Sequence, residues 1–483
     1  MSMDTEAVEH YLADRSRRGA PLAHGFSGAA GGAPCGDLVR ISIAIQEARI
    51  AAVSHEAQGC ATARAAGAAA AEAVDGAGVL DAAVVGTREI EERLGGAGAQ
   101  GRHAVELAAD ALARALATAA GSDTALVSPP DSGERVLVAL SGGVDSAVAA
   151  LRERERGAEV VAVTVKLWAD QRTDASKSCC SPLAVLGARG LAHSLGIPHL
   201  TLDLEDAFRA RVVGGFVDGY RAGRTPNPCM ICNGDLRIDA MIALADRLGA
   251  AALASGHYAR LADDGEGPLL RAAADSAKDQ TYMLSGLRPS SLARLRFPLA
   301  ELSKPEVRAI AAAAELPVAD KAESQDLCFL AGEGKRGFLA RHAGLRERAG
   351  DVVDRRGRRL GRHCGHHEYT VGQRRGLGIG SAEPLYVLAT DADTNTVTVG
   401  PRAELATRSV AVRDATLHRP GARVDGVRLR YHSPALECEL APVGAGRHDE
   451  LRIELAEPGY GVAPGQTACL LDGDLVVGRA TIA

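Results

Sequence analysis

Residues 135–146 read RVLVALSGGVDS, an apolar run followed directly by a glycine-rich turn. The next residues, AVAALRERE, have apolar side chains at helical spacing. A strand, a tight turn and a helix in this order direct backbone N–H groups and the positive helix end at a bound anion. The Lys-Ser/Thr pair of a Walker-type loop is missing, and Asp145 lies at the helix start instead. The pattern favours an ATP that is split between its α- and β-phosphates, with a Ser/Gly turn and an Asp N-cap as the alternative.

Together, the strand, the SGGVDS turn and the helix resemble the PP-loop of the N-type ATP pyrophosphatases. The resemblance implies that the protein binds ATP and Mg²⁺, and that Asp145 helps to place Mg²⁺ and to orient the phosphates. The implied ATP-binding residues are Ala139, Leu140, Ser141, Gly142, Gly143, Val144, Asp145 and Ser146, with Val165 and Gly256 completing the pocket.

Length and composition predict a multidomain protein, because 483 residues exceed one typical domain. Residues 1–120 mix strand-like runs with Ala-rich helices, and residues 121–133, which are rich in Ser, Gly, Asp and Pro, are predicted to be a linker. Strands alternate with helices over residues 134–342, which predicts a parallel α/β sheet. Short β-type runs with Gly and Asp turns predict a small β domain at 343–404 and a β-barrel at 405–483.

Charge and cysteine content restrict the setting. A net charge of −6 argues against a polybasic or membrane-adsorbing protein, and no window has the ~20 apolar residues of a membrane-spanning helix. The N-terminal residues are charged and lack the apolar core of a secretory signal. The ten cysteines are scattered, which favours chemical or metal-binding roles over a disulfide framework. We therefore expect a cytoplasmic protein without membrane contact.

A Cys-x-x-Cys pair lies in residues 223–242, GRTPNPCMICNGDLRIDAMI, ahead of an amphipathic helix predicted to start near Gly234. A thiolate at a helix N-terminus is favoured by the helix dipole, so Cys229 and Cys232 are candidates for a nucleophile or a ligand. A third cysteine, Cys328, follows in ESQDLCFL. With ASGHYARL and SAKDQTYMLSGL between them, these motifs in this order resemble the bacterial tRNA-specific 2-thiouridylases.

This resemblance implies a tRNA-uridine 2-sulfurtransferase acting on the wobble uridine of lysine, glutamate and glutamine tRNAs. Adenylation of the C2 oxygen makes AMP the leaving group, and AMP and pyrophosphate are released. In the family one cysteine is the nucleophile and the other carries a persulfide. These match Cys232 and Cys328 respectively.

Cys229 leaves a second route open, because many members of the family carry Asp at this position. If Cys229, Cys232 and Cys328 converge, they could hold a 4Fe–4S cluster that supplies the sulfur. Zinc is less favoured, since Cys-x-x-Cys lacks a second pair. Two rival functions are a different PP-loop adenylating enzyme and a non-thiolating iron–sulfur or sulfur carrier.

RNA recognition is expected on splayed, single-stranded bases of the anticodon loop. The resemblance implies that Asn227, Pro228 and Cys229 line the target base. The implied tRNA contacts are His257, Lys278, Asp279 and Gln280 in the α/β segment and Arg430, Tyr431 and Gln466 in the last β domain. The arginine that often follows the tyrosine is His432 here.

The N-terminal segments GAPCGDLVRISIAI, QGCATARAAGAAAAEAV and GRHAVELAADALARAL resemble iron–sulfur scaffold and sulfur-acceptor proteins of the NifU/IscU/SufU type. Cys35, Asp37 and Cys60 match three of the scaffold's ligands, whereas Ala104 stands where a third cysteine would follow His103. His103 is the substitute ligand in this interpretation. We expect sulfur or metal relay, with a cysteine desulfurase or another sulfur donor as a partner. A degenerate domain retained for packing or docking is the alternative.

Overall fold

The computed structural model describes residues 4–32, 36–130, 132–170, 181–322 and 327–483. Within these ranges, none of the helices has both the length and the apolar character needed to cross a membrane. The chain forms an N-terminal α+β domain, a parallel α/β domain, a small β domain and a β-barrel. This architecture confirms the predicted fold class.

The N-terminal domain packs five helices on an antiparallel sheet of order β1-β2-β3. Its elements are α1 (Thr5–Ala13), β1 (Phe26–Gly31), β2 (Leu38–Gln46), β3 (Arg49–Gln58), α2 (Ala61–Val74), α3 (Val79–Ala82), α4 (Thr87–Arg93) and α5 (Ala99–Ala120). Alanine allows helix and sheet to approach closely, and at Gly28 even a methyl group would not fit. A Cβ there would lie 2.2 Å from the backbone nitrogen of Ala115 on α5. The core is therefore close-packed despite its few aromatic residues.

The second domain has a parallel sheet of order β10-β7-β4-β5-β6. Its elements up to the cysteine motif are β4 (Arg135–Ala139), α6 (Val144–Glu155), β5 (Glu159–Lys166), α7 (Pro182–Ser194), β6 (His199–Asp203), α8 (Glu205–Phe208) and α9 (Gly214–Arg221). Those that follow are α10 (Pro228–Cys232), α11 (Ile238–Arg247), β7 (Ala252–Ser255), β8 (Arg260–Asp263), β9 (Pro268–Arg271), α12 (Thr281–Leu284), α13 (Pro289–Leu292), β10 (Leu295–Arg296) and α14 (Lys304–Ala313). The strand order reverses at β4, which places a ligand crevice at the carboxyl ends of β4 and β7.

Two β units complete the chain after α15 (Gly334–His342). The small domain has the order β12-β11-β14-β13, with β11 (Gly350–Val353), β12 (Arg359–His363), β13 (Tyr386–Asp391) and β14 (Thr396–Gly400). The barrel consists of β15 (Ala406–Leu417), β16 (Gly426–Arg428), β17 (Leu436–Leu440), β18 (Gly446–Tyr460), β19 (Thr467–Asp472) and β20 (Leu475–Ile482). Its order is β15-β18-β17-β16-β19-β20, and β20 pairs back with β15 to close six strands.

One hairpin crosses the domain boundary that the sequence suggests. Strands β8 and β9 lie within the α/β segment of the sequence, but β9 pairs with β20 of the barrel. Asp264, in the turn of this hairpin, pairs with Arg419 at 2.6 Å and with Arg423 at 2.7 Å. These two ion pairs lower the pKa of Asp264 far below its ordinary value. The barrel is thus fixed to the parallel-sheet domain.

The N-terminal domain is docked on the parallel-sheet domain. Helix α5 packs against the edge strand β6, and the carbonyl of Ala83 accepts hydrogen bonds from the His199 N–H and from His193 Nε2, both at 3.0 Å. Arg189 of α7 pairs with Asp110 of α5 at 3.2 Å. In the segment predicted as a linker, Leu126 is fully buried and its N–H donates to the carbonyl of Arg247 at 3.0 Å. This segment therefore packs against α11 instead of forming a free tether.

Candidate active site

The SGGVDS turn joins β4 to α6 at the point where the strand order reverses. Gly143 is the N-cap of α6, and Gly142 has a φ of +71°, a conformation that suits glycine. Ser146 Oγ donates to the carbonyl of Gly143 at 3.0 Å and accepts from the Ser141 N–H at 3.1 Å. The turn is therefore held by hydrogen bonds of its own two serines.

The carboxyl end of β7 closes this site from the other side. A Cβ on Gly256 would lie 2.7 Å from the carbonyl carbon of Asp145, so only glycine lets the β7 loop approach the start of α6. On β5, Val165 is buried, and the Thr164 hydroxyl donates to the carbonyl of Leu140 at 2.6 Å. The residues expected to form the ATP pocket thus meet at the ends of three neighbouring strands.

Asp145 faces a lysine that the sequence analysis missed. Lys304 Nζ lies 2.7 Å and 2.8 Å from the two carboxylate oxygens of Asp145, and the Tyr258 hydroxyl donates to one of them at 2.9 Å. Lys304 and Tyr258 are 8% and 3% exposed. A second lysine, Lys321, donates to the carbonyl of Gly142 at 2.8 Å. The ammonium groups of Lys304 and Lys321 therefore both lie at the SGGVDS turn.

The Cys-x-x-Cys pair lies in the first turns of a helix that begins earlier than predicted. The helix starts at Pro228, six residues before Gly234, because the Asn227 side chain caps it by accepting the Met230 N–H at 3.3 Å and proline suits the first position. It continues without a break through a π-helical turn, Asn233–Arg237, into α11. Cys229 is half-buried and Cys232 is 8% exposed.

A half-buried polar cluster of Arg237 and His257 lies one turn beyond Cys232. The Arg237 guanidinium donates to the Asn233 side chain and lies 3.2 Å from His257 Nε2. His257 Nδ1 is hydrogen-bonded to the Ser255 hydroxyl. Burial, together with the neighbouring Arg237 charge, lowers the pKa of His257 to about 3. His257 is therefore a neutral imidazole at pH 7, so an RNA contact by its ring would be a hydrogen bond and not a charge interaction.

Cys328 lies in a turn anchored by its neighbour, Phe329. Phe329 is 2% exposed and has ring contacts with Phe216, Phe338 and Trp168 at 5.1, 5.0 and 6.4 Å. This cluster fixes the position of the turn from one side. Cys328 is half-buried against the same apolar core that contains Cys232.

Among the described residues, no three His, Cys, Asp or Glu side chains are arranged to hold a metal ion, and Cys229, Cys232 and Cys328 do not meet as such a group in this conformation. In the N-terminal domain, Cys60 Sγ lies 3.3 Å from Asp37 Oδ2, and Cys60 is the N-cap of α2. His103 does not complete a ligand set of three with these two residues. Cys35 lies outside the described residues.

Several expected tRNA contacts are engaged inside the protein. Asp279 accepts from the Thr281 hydroxyl at 2.7 Å and from Arg428 at 2.8 Å, and it is 7% exposed. The other engaged side chains are Gln280, which accepts the Tyr258 N–H, Arg430, which donates to Val371 and Gly461 carbonyls, and Gln466, which donates to the Thr225 carbonyl. In this conformation Asp279, Arg430 and Gln466 each join two domains, whereas the Gln280 bond lies within the parallel-sheet domain.

Other expected contacts are placed differently. The Tyr431 ring is half-buried, and its centroid lies 3.8 Å from that of the His432 ring, with the two planes tilted by 42°. His432 is exposed and has a φ of +58°. Lys278 is half-buried, and its backbone N–H donates to the Asp275 carbonyl at 3.0 Å.

The SGGVDS turn lies at the switch point of a parallel sheet, and two β domains follow that sheet. This combination is typical of nucleotide-binding proteins that transfer a chemical group. Four family models match the chain: the NifU-like N terminal domain (residues 4–124), the tRNA methyl transferase HUP domain (134–332), the tRNA methyl transferase PRC-barrel domain (336–401) and the Aminomethyltransferase beta-barrel domain (418–482).

The chain is 45% identical to the bifunctional protein NifU/MnmA of Rubrobacter xylanophilus, over 94% of this chain and 93% of that protein. It is 44% identical to the tRNA-specific 2-thiouridylase MnmA of Acidithiobacillus ferrooxidans, over 72% of this chain and 98% of that protein. A SufU iron–sulfur scaffold structure from Fervidobacterium islandicum covers 23% of this chain and 96% of its own, at 17% identity and a TM-score of 0.20. The chain belongs to the bifunctional NifU/MnmA family, whose MnmA part is the 2-thiouridylase family. It is therefore an enzyme, a sulfurtransferase, which confirms the resemblance found in the sequence.

Proposed function

We propose that the protein thiolates C2 of the wobble uridine in lysine, glutamate and glutamine tRNAs, consuming ATP and releasing AMP and pyrophosphate. The observation that carries this proposal is the SGGVDS turn at the sheet's switch point, in the same domain as a helix-borne Cys232 and an anchored Cys328. The 2-thiouridylases among its relatives support the choice of substrate.

Adenylation solves the chemical difficulty of this reaction, because a uridine carbonyl oxygen is a poor leaving group. The uridine O2 forms a bond to the α-phosphorus while N3 gives up its proton to solvent, and the bond from that phosphorus to the α,β-bridging oxygen breaks. The electron pair leaves with pyrophosphate. Backbone N–H groups of the SGGVDS turn and the start of α6 would stabilise the phosphate charge during this step.

Mg²⁺ fits the polar groups of the site. This ion is usually held by one or two carboxylates together with phosphate oxygens and water, and Asp145 supplies one carboxylate beside the turn. Bound there, it would neutralise charge that develops on the phosphates.

Sulfur then replaces the activated oxygen. The terminal sulfur of a Cys328 persulfide attacks C2, and the C2–O bond breaks as AMP leaves with its electron pair. The Cys232 thiolate attacks Cys328 Sγ, which forms a disulfide between the two cysteines and releases the 2-thiouridine. A thiol reductant must return two electrons to this disulfide before the next cycle.

The N-terminal domain is proposed to pass sulfur from a cysteine desulfurase to Cys328. Cys60 is exposed, caps α2 and lies beside Asp37. The Cys60 thiol donates a hydrogen bond to Asp37 Oδ2 at 3.3 Å, so Asp37 is a candidate for accepting the thiol proton during sulfur transfer.

The test is complementation of a thiolase-deficient host, followed by mass spectrometry of tRNA nucleosides. We expect 2-thiouridine with the full chain, and none with Cys232→Ala or Cys328→Ala. Cys364→Ala is the matched control, because Cys364 is an exposed cysteine in the small β domain. Normal 2-thiouridine in either active-site variant would refute the roles assigned to the two cysteines.

A further inference from the structure

Lys304, which the sequence motifs did not single out, lies at the SGGVDS turn. A role for this residue rests on the proposed use of ATP and adds to it a group that binds the leaving pyrophosphate. Lys304 is the first residue of α14, and α14 packs beside α6 so that both helices begin at this site.

The position of Lys304 is electrostatically unusual. The first turn of a helix is its positive end, where anions are stabilised and cations are not. The N-terminus of α14 is otherwise capped in the usual way, because Ser303 is the N-cap and its N–H donates to the Glu306 carboxylate at 2.7 Å. Burying an ammonium there is costly unless an anion faces it, and Asp145 faces the Lys304 ammonium at 2.7 Å, while the Asp275 carboxylate accepts the Lys304 backbone N–H at 3.0 Å.

The anion that faces Lys304 lies in the second position of α6, directly after the turn. Asp145 is held from a second direction by the Tyr258 hydroxyl, at 2.9 Å. The Lys304 side chain is 10% exposed and the Asp145 side chain 32%, so the pair opens to the crevice on the Asp145 side. A polyphosphate entering the crevice would meet two helix N-termini and this ammonium together.

We propose that Lys304 is a phosphate-binding residue that Asp145 and Tyr258 hold in position until ATP arrives. Its ammonium then shares its hydrogen bonds with oxygens of the β- and γ-phosphates. During adenylation it stabilises the negative charge of the departing pyrophosphate. Asp145 therefore acts in part through Lys304, and substitution of either residue weakens the same interaction.

The experiment measures binding of ATP, inorganic pyrophosphate and AMP to the full chain by calorimetry. Lys304→Met keeps the length of the side chain and removes its charge. We expect it to weaken ATP and pyrophosphate binding about 10- to 100-fold, the range for one hydrogen bond to a charged group, and to leave AMP binding unchanged. Lys304→Arg should restore part of the loss, and Lys304→Met combined with Asp145→Asn should lose less than the sum of the two single changes.

Arg152→Ala is the matched control, because it removes an exposed cation from α6 that pairs only with Glu155 in the described ion pairs. Fluorescence of Trp168, the only tryptophan, which is 2% exposed in the same domain, reports that each variant is folded. Pyrophosphate binding by folded Lys304→Met and Lys304→Arg variants with wild-type affinity would overturn this inference while ATP binding stands. Failure of the unaltered chain to bind ATP would overturn the proposed function, and this inference with it.

Discussion

Loss of the Arg189 side chain should loosen the N-terminal domain from the parallel-sheet domain. Arg189 bonds Asp110 across the boundary at 3.2 Å, and the two side chains are 13% and 22% exposed. Asp110 has a second partner, Arg114 of its own helix, at 2.8 Å, and the Arg114 side chain is 59% exposed. Two arginines thus bind one carboxylate, one across the boundary and one within α5.

The size of the effect follows from this geometry. Removing one partner of a fully buried ion pair costs about 3–5 kcal/mol, and an exposed pair contributes about 0–1 kcal/mol. Because Asp110 keeps Arg114 when Arg189 is removed, we expect Arg189→Ala to cost about 2 kcal/mol of docking free energy. Arg114→Ala should cost at most about 0.5 kcal/mol.

Amide hydrogen exchange of peptides containing His199 measures this docking, because the His199 N–H is bonded to the Ala83 carbonyl of the N-terminal domain. A cost of about 2 kcal/mol corresponds to roughly 30-fold faster exchange in Arg189→Ala, provided that exchange proceeds through undocking. Arg114→Ala should change it less than about threefold. Equal exchange in the unaltered chain and in Arg189→Ala would refute the docking role of this pair, as would equal acceleration by both variants.

Cys229→Asp should retain 2-thiouridine formation, measured in the complemented host, because the persulfide route does not need this thiolate; loss of activity together with iron would favour the cluster route. Burial lowers the pKa of His199 to about 3 from 6.5, so the unfolded state binds more protons and stability falls as the pH drops below 6.5. At pH 5.5, protonation of His199 in the unfolded state should lower the free energy of unfolding by about 1.4 kcal/mol. Denaturant titrations between pH 6.5 and 5 measure how steeply the free energy of unfolding rises with pH. In His199→Gln this slope should fall by the equivalent of about one bound proton. Cys60→Ser in the full chain should slow thiolation driven by a scarce cysteine desulfurase and leave thiolation driven by excess sulfide unchanged; equal desulfurase-driven rates would favour a docking role for the N-terminal domain.

A point substitution such as Cys60→Ser tests sulfur transfer by the N-terminal domain more directly than removal of residues 1–120 would. Helix α5 covers the edge strand β6, and the segment after it buries Leu126 against α11. Truncation would expose that edge and that apolar surface, and an exposed strand edge pairs with other chains. A loss of activity after truncation would therefore combine misfolding with loss of sulfur transfer.

The sequence by itself determined the nucleotide turn and the order of the domains. SGGVDS is a local signal, because its strand, its glycines and the helix after it are adjacent in the chain. Helix α7 (Pro182–Ser194) begins at a local signal in the same way, because Ser181 caps it and proline suits the first position. The cysteine helix was placed too late, because the Asn227 cap and Pro228 were not taken as its start.

The tertiary structure alone decided which distant residues share the site. Lys304 lies 159 positions after Asp145, and Asp279 bonds Arg428 149 positions further on. Neither contact leaves a pattern in the sequence, because a side chain pairs through space with whatever the fold brings near it. Docking of the N-terminal domain is also decided by the tertiary structure, because its ion pair joins Asp110 to Arg189 on two different helices. The periodicity of each helix indicates only which of its faces is apolar. Local signals fix what each segment becomes, whereas the free energy of packing between segments fixes where their charges meet.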